Sequence, residues 1–228
     1  MERSTPVVVS LGGSLVVPDE VAARFVERFC ALVRRDVASG RRFVVIVGGG
    51  ALARRFQKAL REARADASAE DLDWIGIYAT HLNAHLLRLA LGSVASPEVL
   101  TSDDGIPDAA SAVVLGAGLF PGRSTDYATV LAATKVGAKA IANLSNVTHV
   151  YDRDPKDNPD AKPFSKLSWG EYRALIPEHA TPGLHAPFDP EASRLAAEHG
   201  ISVAIMGSDL SNFERYLSGD GFEGTTIS

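Results

Sequence analysis

Residues 120–133, FPGRSTDYATVLAA, decide the reading of the fold. Just before them runs Ala112-Val113-Val114-Leu115-Gly116, a continuously apolar segment of the kind found in strands buried on both faces. Phe120 and the Pro121-Gly122 turn then lead through Arg123, Ser124 and Thr125 to Asp126 and a clean helical run. A cation, two hydroxyls and a carboxylate thus sit between a buried strand and a helix N-terminus. First-turn N–H groups are unpaired and the helix dipole is positive there, which suits an anion. The same residues also serve as plain helix signals. Thr125 or Ser124 can act as an N-cap and Asp126 as a favourable first-turn charge. On this stretch alone both readings stay open.

Two other loops repeat the arrangement. Val7-Val8-Val9-Ser10-Leu11 reads as a buried strand and ends on Gly12-Gly13-Ser14. Those glycines either let the backbone approach a ligand or make an ordinary strand-to-helix turn. Phe43-Val44-Val45-Ile46-Val47 is a second such strand, followed at once by Gly48-Gly49-Gly50 and a helix from Ala51 to about Ala65. Three consecutive glycines sacrifice backbone entropy, which points to a phosphate cradle rather than a turn alone. Arg54, one helical turn in, can reach back to the same anion, while Arg55 faces solvent. GGGALA also matches the G-x-G-x-x-A dinucleotide fingerprint. That reading fails, because the acidic residues about twenty positions on, Asp71 and Asp73, lead into a helix instead of ending a second strand. No Walker A lysine pattern is present.

The remaining chain fits the same architecture. A helix opens at Pro18-Asp19 and runs to about Ser39-Gly40, with Val21, Phe25, Phe29, Leu32 and Val33 as its buried stripe. A further helix spans 71–91. It carries Asn83, a poor helix former with either a polar task or a surface position, and His81 and His85 at i, i+4, read as solvent or interface residues. Residues 139–144 form a strand ending on Ser145-Asn146, and 147–151 a short hairpin arm. A charged loop then runs past Lys162, longer than usual connections and hence a candidate functional loop. A short helix covers 169–176, and 177–187, with His179 and His185, is the least regular segment. A helix capped by Asp189, a strand at 201–206, a helix at 210–217 and a strand at 224–227 complete the chain. At least five strands alternate with helices, so the fold class is α/β: a largely parallel sheet sandwiched between helices. Ligands in such sheets lie at the carboxyl ends of strands, and all the loops singled out follow strands.

Bulk properties agree. The chain has 228 residues, 46% hydrophobic and 22% charged, with a formal net charge of -5. That composition suits a soluble globular protein and argues against a general nucleic-acid binder. Cys30 is the single cysteine, which excludes an internal disulfide or a cysteine-based metal cluster and fits a reducing cytoplasm. No run is long and apolar enough to span a membrane, and residues 1–6 lack the pattern of a signal peptide.

In order and spacing, SLGGSLVVP, VVIVGGGALARRF, DWIG with THLNAHLL, FPGRSTDYATVLAA, LSNVTHVYDRDPKDNPDAKPFSKL, FDPEASRLA and the terminal GTTI resemble the amino acid kinase family, and within it the archaeal-type UMP kinases. The resemblance spans nearly the whole chain. It implies a single domain over 1–228, with an acceptor-nucleotide half over about 1–135 and an ATP half over about 136–228. It implies transfer of the ATP γ-phosphoryl group to UMP in pyrimidine nucleotide synthesis. Gly13, Ser14, Gly50 and Arg54 would hold ATP phosphates, with Ser145, Asn146, Tyr151 and Asp154 around the adenosine. Gly49, Asp73 and the loop Leu119, Phe120, Pro121, Gly122, Arg123, Ser124, Thr125 would hold UMP, with Asp73 on the ribose. Asp126, with Arg54, would organise the active centre. Mg²⁺ would be bound mainly through the nucleotide phosphates, with no dedicated protein metal site. The implied partners are small-molecule nucleotides and copies of the chain in a hexamer, with neither nucleic acid nor membrane.

Such a transfer needs in-line positioning and neutralisation of phosphate charge, and little covalent chemistry. The acceptor is an already ionised phosphate, so no strong general base is required. Three departures stand out. Ser10 occupies the place of a lysine that in many members neutralises the transferring group, so Arg54 or Lys162 would have to compensate. Thr148-His149 replaces the usual Asp-Gly near the nucleotide base. Phe120 and Arg123 replace residues that are often histidine and bear on acceptor choice. Two other functions therefore stand beside UMP phosphorylation: a kinase of this fold for another phosphate or carboxylate, and a non-catalytic nucleotide-binding or storage protein.

Overall fold

The computed structural model describes residues 4–106, 111–178 and 186–228. Its elements are β1 (Val7–Leu11), α1 (Gly13–Val16), α2 (Ala23–Ala38), β2 (Phe43–Val47), α3 (Gly50–Ala63), α4 (Ala69–Leu91), β3 (Ala95–Leu100), β4 (Val113–Gly116), α5 (Thr125–Val136) and β5 (Ala140–Leu144). There follow β6 (Val150–Tyr151), β7 (Pro163–Phe164), β8 (Lys166–Leu167), α6 (Trp169–Leu175), α7 (Pro190–Glu198), β9 (Ser202–Met206), α8 (Leu210–Ser218) and β10 (Thr225–Ile227). Eight strands form one sheet in the order β3-β4-β2-β1-β5-β9-β10-β8. Pairing is parallel from β3 through to β9, and β10 joins β9 antiparallel.

Strand periodicity assigns the layers. Val9, Leu11, Val45, Val47 and Leu144 face one apolar cluster with Phe29, Leu87 and Phe213 from α2, α4 and α8. Val8, Val44, Ile46 and Ile141 face the other, with Val130, Tyr172 and Ala196 from α5, α6 and α7. The sheet is therefore covered on both sides, which explains why its strands are continuously apolar rather than alternating. By the same parity Ser10 and Asn143, near the ends of β1 and β5, share the face of Val8 and Ile141 and look toward α5.

Several elements differ from expectation: α1, β7 and β8 arise where a turn and a loop were expected, and two further differences concern α2 and β3. The helix expected from Pro18 begins at Ala23, and Val21 is 53% exposed instead of lying in the stripe. Arg55 pairs with both Asp19 and Glu20 and so is not simply solvated. β3, at the sheet edge, does not follow from the sequence pattern: Ser96, Pro97 and Glu98 interrupt its apolar run, and its register shifts between Ala95 and Val99. His179 and His185 lie outside the described residues.

The turns after β1 and β2 pack backbone against backbone. A Cβ on Gly13 would overlap Gly50 N and the Gly48 carbonyl, and one on Gly50, whose φ is +61°, would overlap the Gly13 carbonyl. A Cβ on Gly170 in α6 would meet nothing closer than Ser168 Oγ, 3.9 Å away. Gly13→Ala is therefore expected to cost about 2–3 kcal/mol in urea unfolding, as overpacked sites do. Gly170→Ala, measured alongside, should be neutral or stabilise by roughly 0.5–1 kcal/mol.

Candidate active site

The carboxyl ends of β2, β1, β5 and β9, and separately those of β4 and β3, are stitched together by first loop amides. Gly12 N–H donates to Leu144 O at 2.7 Å, Gly48 N–H to Leu11 O at 2.9 Å, Ala117 N–H to Leu100 O at 3.1 Å and Ser145 N–H to Met206 O at 3.0 Å. These bonds use the first amide of each loop. The amides of Gly13, Ser14, Gly49 and Gly50 find no acceptor among the described residues. Four backbone donors thus lie within two interlocked glycine loops, the chemistry of an anion cradle.

Asp126 stands at the α5 N-terminus beside this cradle. Ser124, not Thr125, caps the helix by accepting the Tyr127 N–H at 3.2 Å. Ser10 Oγ donates to Asp126 Oδ1 at 2.9 Å and Asn143 Nδ2 reaches the same oxygen at 3.5 Å. The Asp189 N–H donates to Oδ2 at 3.1 Å. Tyr172 steadies that last donor: its buried hydroxyl donates to Phe188 O at 2.6 Å and accepts the Phe188 N–H at 2.8 Å. A cavity of about 200 Å³ opens here, lined by Gly13, Thr125, Asp126, Asn143, Ser145 and Asn146 among others.

α4 holds the neighbouring loops through a row of polar contacts. Asp73 Oδ2 accepts the Gly122 N–H at 2.8 Å, Thr80 Oγ1 accepts the Gly118 N–H at 2.8 Å, and His81 Nε2 lies 3.0 Å from Gly118 O. Buried Asn83 donates to Gly48 O at 2.9 Å and Gly49 O at 3.1 Å, so it has a polar task and not a surface one. Arg123 stacks over the Tyr127 ring at 4.9 Å and lies 4.0 Å from Glu191. Phe120 packs edge-on against Tyr127, and Leu119 joins the α5-side core. Pro121 is half-buried and Gly122 exposed at the tip.

Other expected residues stand outside the cavity lining. Arg54 is exposed on α3 and has no polar partner among the described residues. Tyr151 bonds Thr148 through their hydroxyls at 3.2 Å and packs against the His149 ring. Asp154 accepts the Lys156 N–H at 2.9 Å within its own turn, and exposed Lys162 donates its N–H to Asp152. His85 accepts from Arg88 and shares no ligand with His81. Asn143, Thr80 and Asp189 join the site without having been expected there, although THLNAHLL and FDPEASRLA contain the last two. A lone amide inside the apolar run KAIANL is the one local signal for Asn143.

Burial raises the Asp126 carboxyl to about 6, assisted by the negative Asp189 and opposed by the hydrogen bonds from Ser10 and the Asp189 amide. Burial likewise raises Asp189, whose carboxylate caps α7 by accepting the Ala192 N–H. The unfolded chain releases the Asp126 proton at about pH 4, before the folded chain does. Folding stability from this group is therefore complete below about pH 4 and is lost as pH rises through about 6. Asp126→Asn should abolish that loss. Paired thermal melts at pH 4 and pH 7 are expected to show the variant gaining on the native chain at pH 7.

Residues 5–207 match the amino acid kinase family. The uridylate kinase of Hyperthermus butylicus is 34% identical over 218 residues, 94% of this chain and 95% of that one. That of Methanospirillum hungatei is 34% identical over 225 residues, 97% and 94% of the two chains. The crystal structure of uridylate kinase from Archaeoglobus fulgidus superposes with a TM-score of 0.83 at 31% identity, covering 98% of this chain and 100% of that one. With a parallel sheet of this order, two interlocked glycine loops at its carboxyl edge and a family match over most of its length, the chain belongs to the amino acid kinase family.

Proposed function

We propose that this protein transfers the γ-phosphoryl group of ATP to UMP, giving UDP and ADP. The observation that carries the reading is the set of unpaired glycine-loop amides beside Asp126, at the carboxyl edge of a chain 34% identical to uridylate kinases over nearly its full length. The sheet order supports a two-sided site. β3, β4, β2 and β1 come from residues before 136, whereas β5, β9, β10 and β8 come from residues after it. The order reverses between β1 and β5, the position where open α/β sheets bind ligands. The acceptor half is then about 1–135 and the ATP half about 136–228.

In this reading the amides of Gly13, Ser14 and Gly50 hold donor phosphates, and Arg54 adds a mobile cation. Gly49 and the 119–125 loop hold the acceptor. Asp73 spends one oxygen on the Gly122 amide, which fixes the loop, and offers the other to the ribose. Ser145 and Asn146 flank the donor in the cavity, and Tyr151 and Asp154 close over the adenosine end. Preorganised amides of this kind stabilise charge on a transferring phosphoryl group, each contributing about 10²–10³-fold in rate. Asp126 fixes the ends of β1, β5 and α7 relative to one another, so donor and acceptor meet in line. Mg²⁺ supplies further neutralisation when bound. Asp126 lines the cavity and would stand near a metal carried on the phosphate oxygens.

Release of ADP should require UMP, with CMP, carboxylates and isopentenyl phosphate at least about tenfold poorer; a coupled assay over that panel decides it. Faster turnover with any other acceptor would replace UMP, and ATP binding without turnover would make the protein a nucleotide-binding relative. Asp126→Asn is expected to lower kcat by about 10²-fold through lost alignment. An unchanged kcat would remove Asp126 from the centre.

The protein is proposed to work in the cytoplasm as a homo-oligomer, a hexamer by family resemblance. Trp74, Tyr78, Leu82 and Leu89 form an exposed apolar stripe along α4, with Phe56 exposed on α3. Such a stripe marks an interface. Sedimentation should show an assembly that Leu82→Glu dissociates; a native monomer would refute it.

A further inference from the structure

Asn83 is 2% exposed in the middle of α4, a position where asparagine weakens a helix. Its two side-chain N–H groups go to two consecutive carbonyls, Gly48 O at 2.9 Å and Gly49 O at 3.1 Å. In a trans peptide the C=O of one residue and the N–H of the next point to opposite sides of the chain. Holding the Gly48 and Gly49 carbonyls against α4 therefore turns the Gly49 and Gly50 N–H groups away from α4. Those are two of the unpaired amides of the cradle. Three glycines carry no side chains with which to fix their own peptide planes; the Ala53 N–H of α3 shares the Gly49 carbonyl at 3.3 Å, whereas among the described residues the Gly48 carbonyl accepts from Asn83 alone. A flipped plane would present a carbonyl oxygen to a phosphate and repel it.

The helix that carries Asn83 is firmly placed. A capping box at Ser68 and Asp71 closes its N-terminus, and Ala84 and Leu87, beside Asn83, are fully buried. We infer that Asn83 is a positioning residue that sets the amide orientation of the Gly48–Gly50 loop for both phosphate groups of the transfer, an inference that rests on the kinase reading above. Because α4 also holds Gly118 and Gly122 through Thr80, His81 and Asp73, Asn83 ties the cradle to the same rigid body as the acceptor loop.

The test is Asn83→Asp, which keeps size and shape but sets a carboxylate against two carbonyl oxygens. Its kcat per ATP-binding site is expected to fall by about 10²-fold, the cost of misplacing reacting groups. Kd for ATP, read by titration calorimetry, should weaken about tenfold, the scale of a lost hydrogen bond to a charged group. Once protonated, the introduced carboxylic acid can donate to one carbonyl, so the ratio of variant to native kcat should rise as pH falls. Asn83→Leu should show the same loss without that recovery. The calorimetric stoichiometry counts folded sites, so partial unfolding is separated from misalignment. A variant kcat per site within about threefold of native, or a flat pH ratio matching that of Asn83→Leu, would reduce Asn83 to a packing residue. If the native protein turns over no acceptor, the UMP reading fails while the ATP affinities of the two chains still decide the role of Asn83.

Discussion

The contact on which this molecule depends is one without side chains. Gly12-Gly13 and Gly48-Gly49-Gly50 press against each other closely enough that a single Cβ at Gly13, Gly48 or Gly50 would collide with backbone. β1 and β2 are paired in register up to Leu11 and Val47, and the Gly48 amide extends the ladder one step by bonding Leu11. Beyond that step the two chains must diverge into α1 and α3 while staying in contact. Only residues without a Cβ allow it. Gly50 in addition needs a positive φ to turn into α3. What is lost in chain entropy returns as a dense group of amides with no acceptor of their own, in a place where the fold can hold anions.

Asp126 shows the complementary constraint. A carboxylate at a helix N-terminus is normally stabilised, yet this one is held well above the ordinary value because burial and Asp189 outweigh the donors that surround it. Ser10 explains part of the balance. Its hydroxyl contributes one neutral hydrogen bond, which lowers the cost of the carboxylate without cancelling its charge. In the proposed transfer, the phosphates that enter would depend on backbone amides, on Arg54 and on a metal carried by the nucleotide.

Much of this is legible in the chain. Continuous apolar runs such as FVVIV imply strands buried on both faces, and the apolar clusters on the two sides of the sheet bear this out. Placing the loops after strands is enough to gather Gly13, Thr125, Asp126, Ser145 and Asn146 around one cavity. The misses have physical reasons. β3 is an edge strand whose Ser96-Pro97-Glu98 carries no periodicity, because one margin of it has no neighbour to bury. Pro18-Asp19 looks like a helix start, but the Ala22 amide turns back to Val16 O and the helix opens only at Ala23. The Asp189 amide reaches Asp126 across 63 positions, and no local pattern encodes that contact. Asn83 stands out in the sequence for its low helix propensity alone. Its partners lie 34 and 35 residues away and become visible only in three dimensions.

The loop after β4 shows how such a site stays both ordered and responsive. Its base is fixed by the buried bond from Gly118 N–H to Thr80 and its tip by the exposed bond from Gly122 N–H to Asp73, whereas the Arg123 side chain is held by weaker means. An exposed pair to Glu191 at 4.0 Å and a stack on Tyr127 together contribute on the order of 1 kcal/mol. A bidentate phosphate contact is a stronger partner than either. Glu191 has Arg194 as another ion-pair partner, so releasing Arg123 leaves no buried charge behind. The loop thus combines a rigid base, which sets where an acceptor sits, with a cation whose release costs little. In the proposed kinase Arg123 places a permanent positive charge beside the incoming acceptor. This favours phosphate acceptors over carboxylates, because a dianion gains more from that charge than a monoanion does.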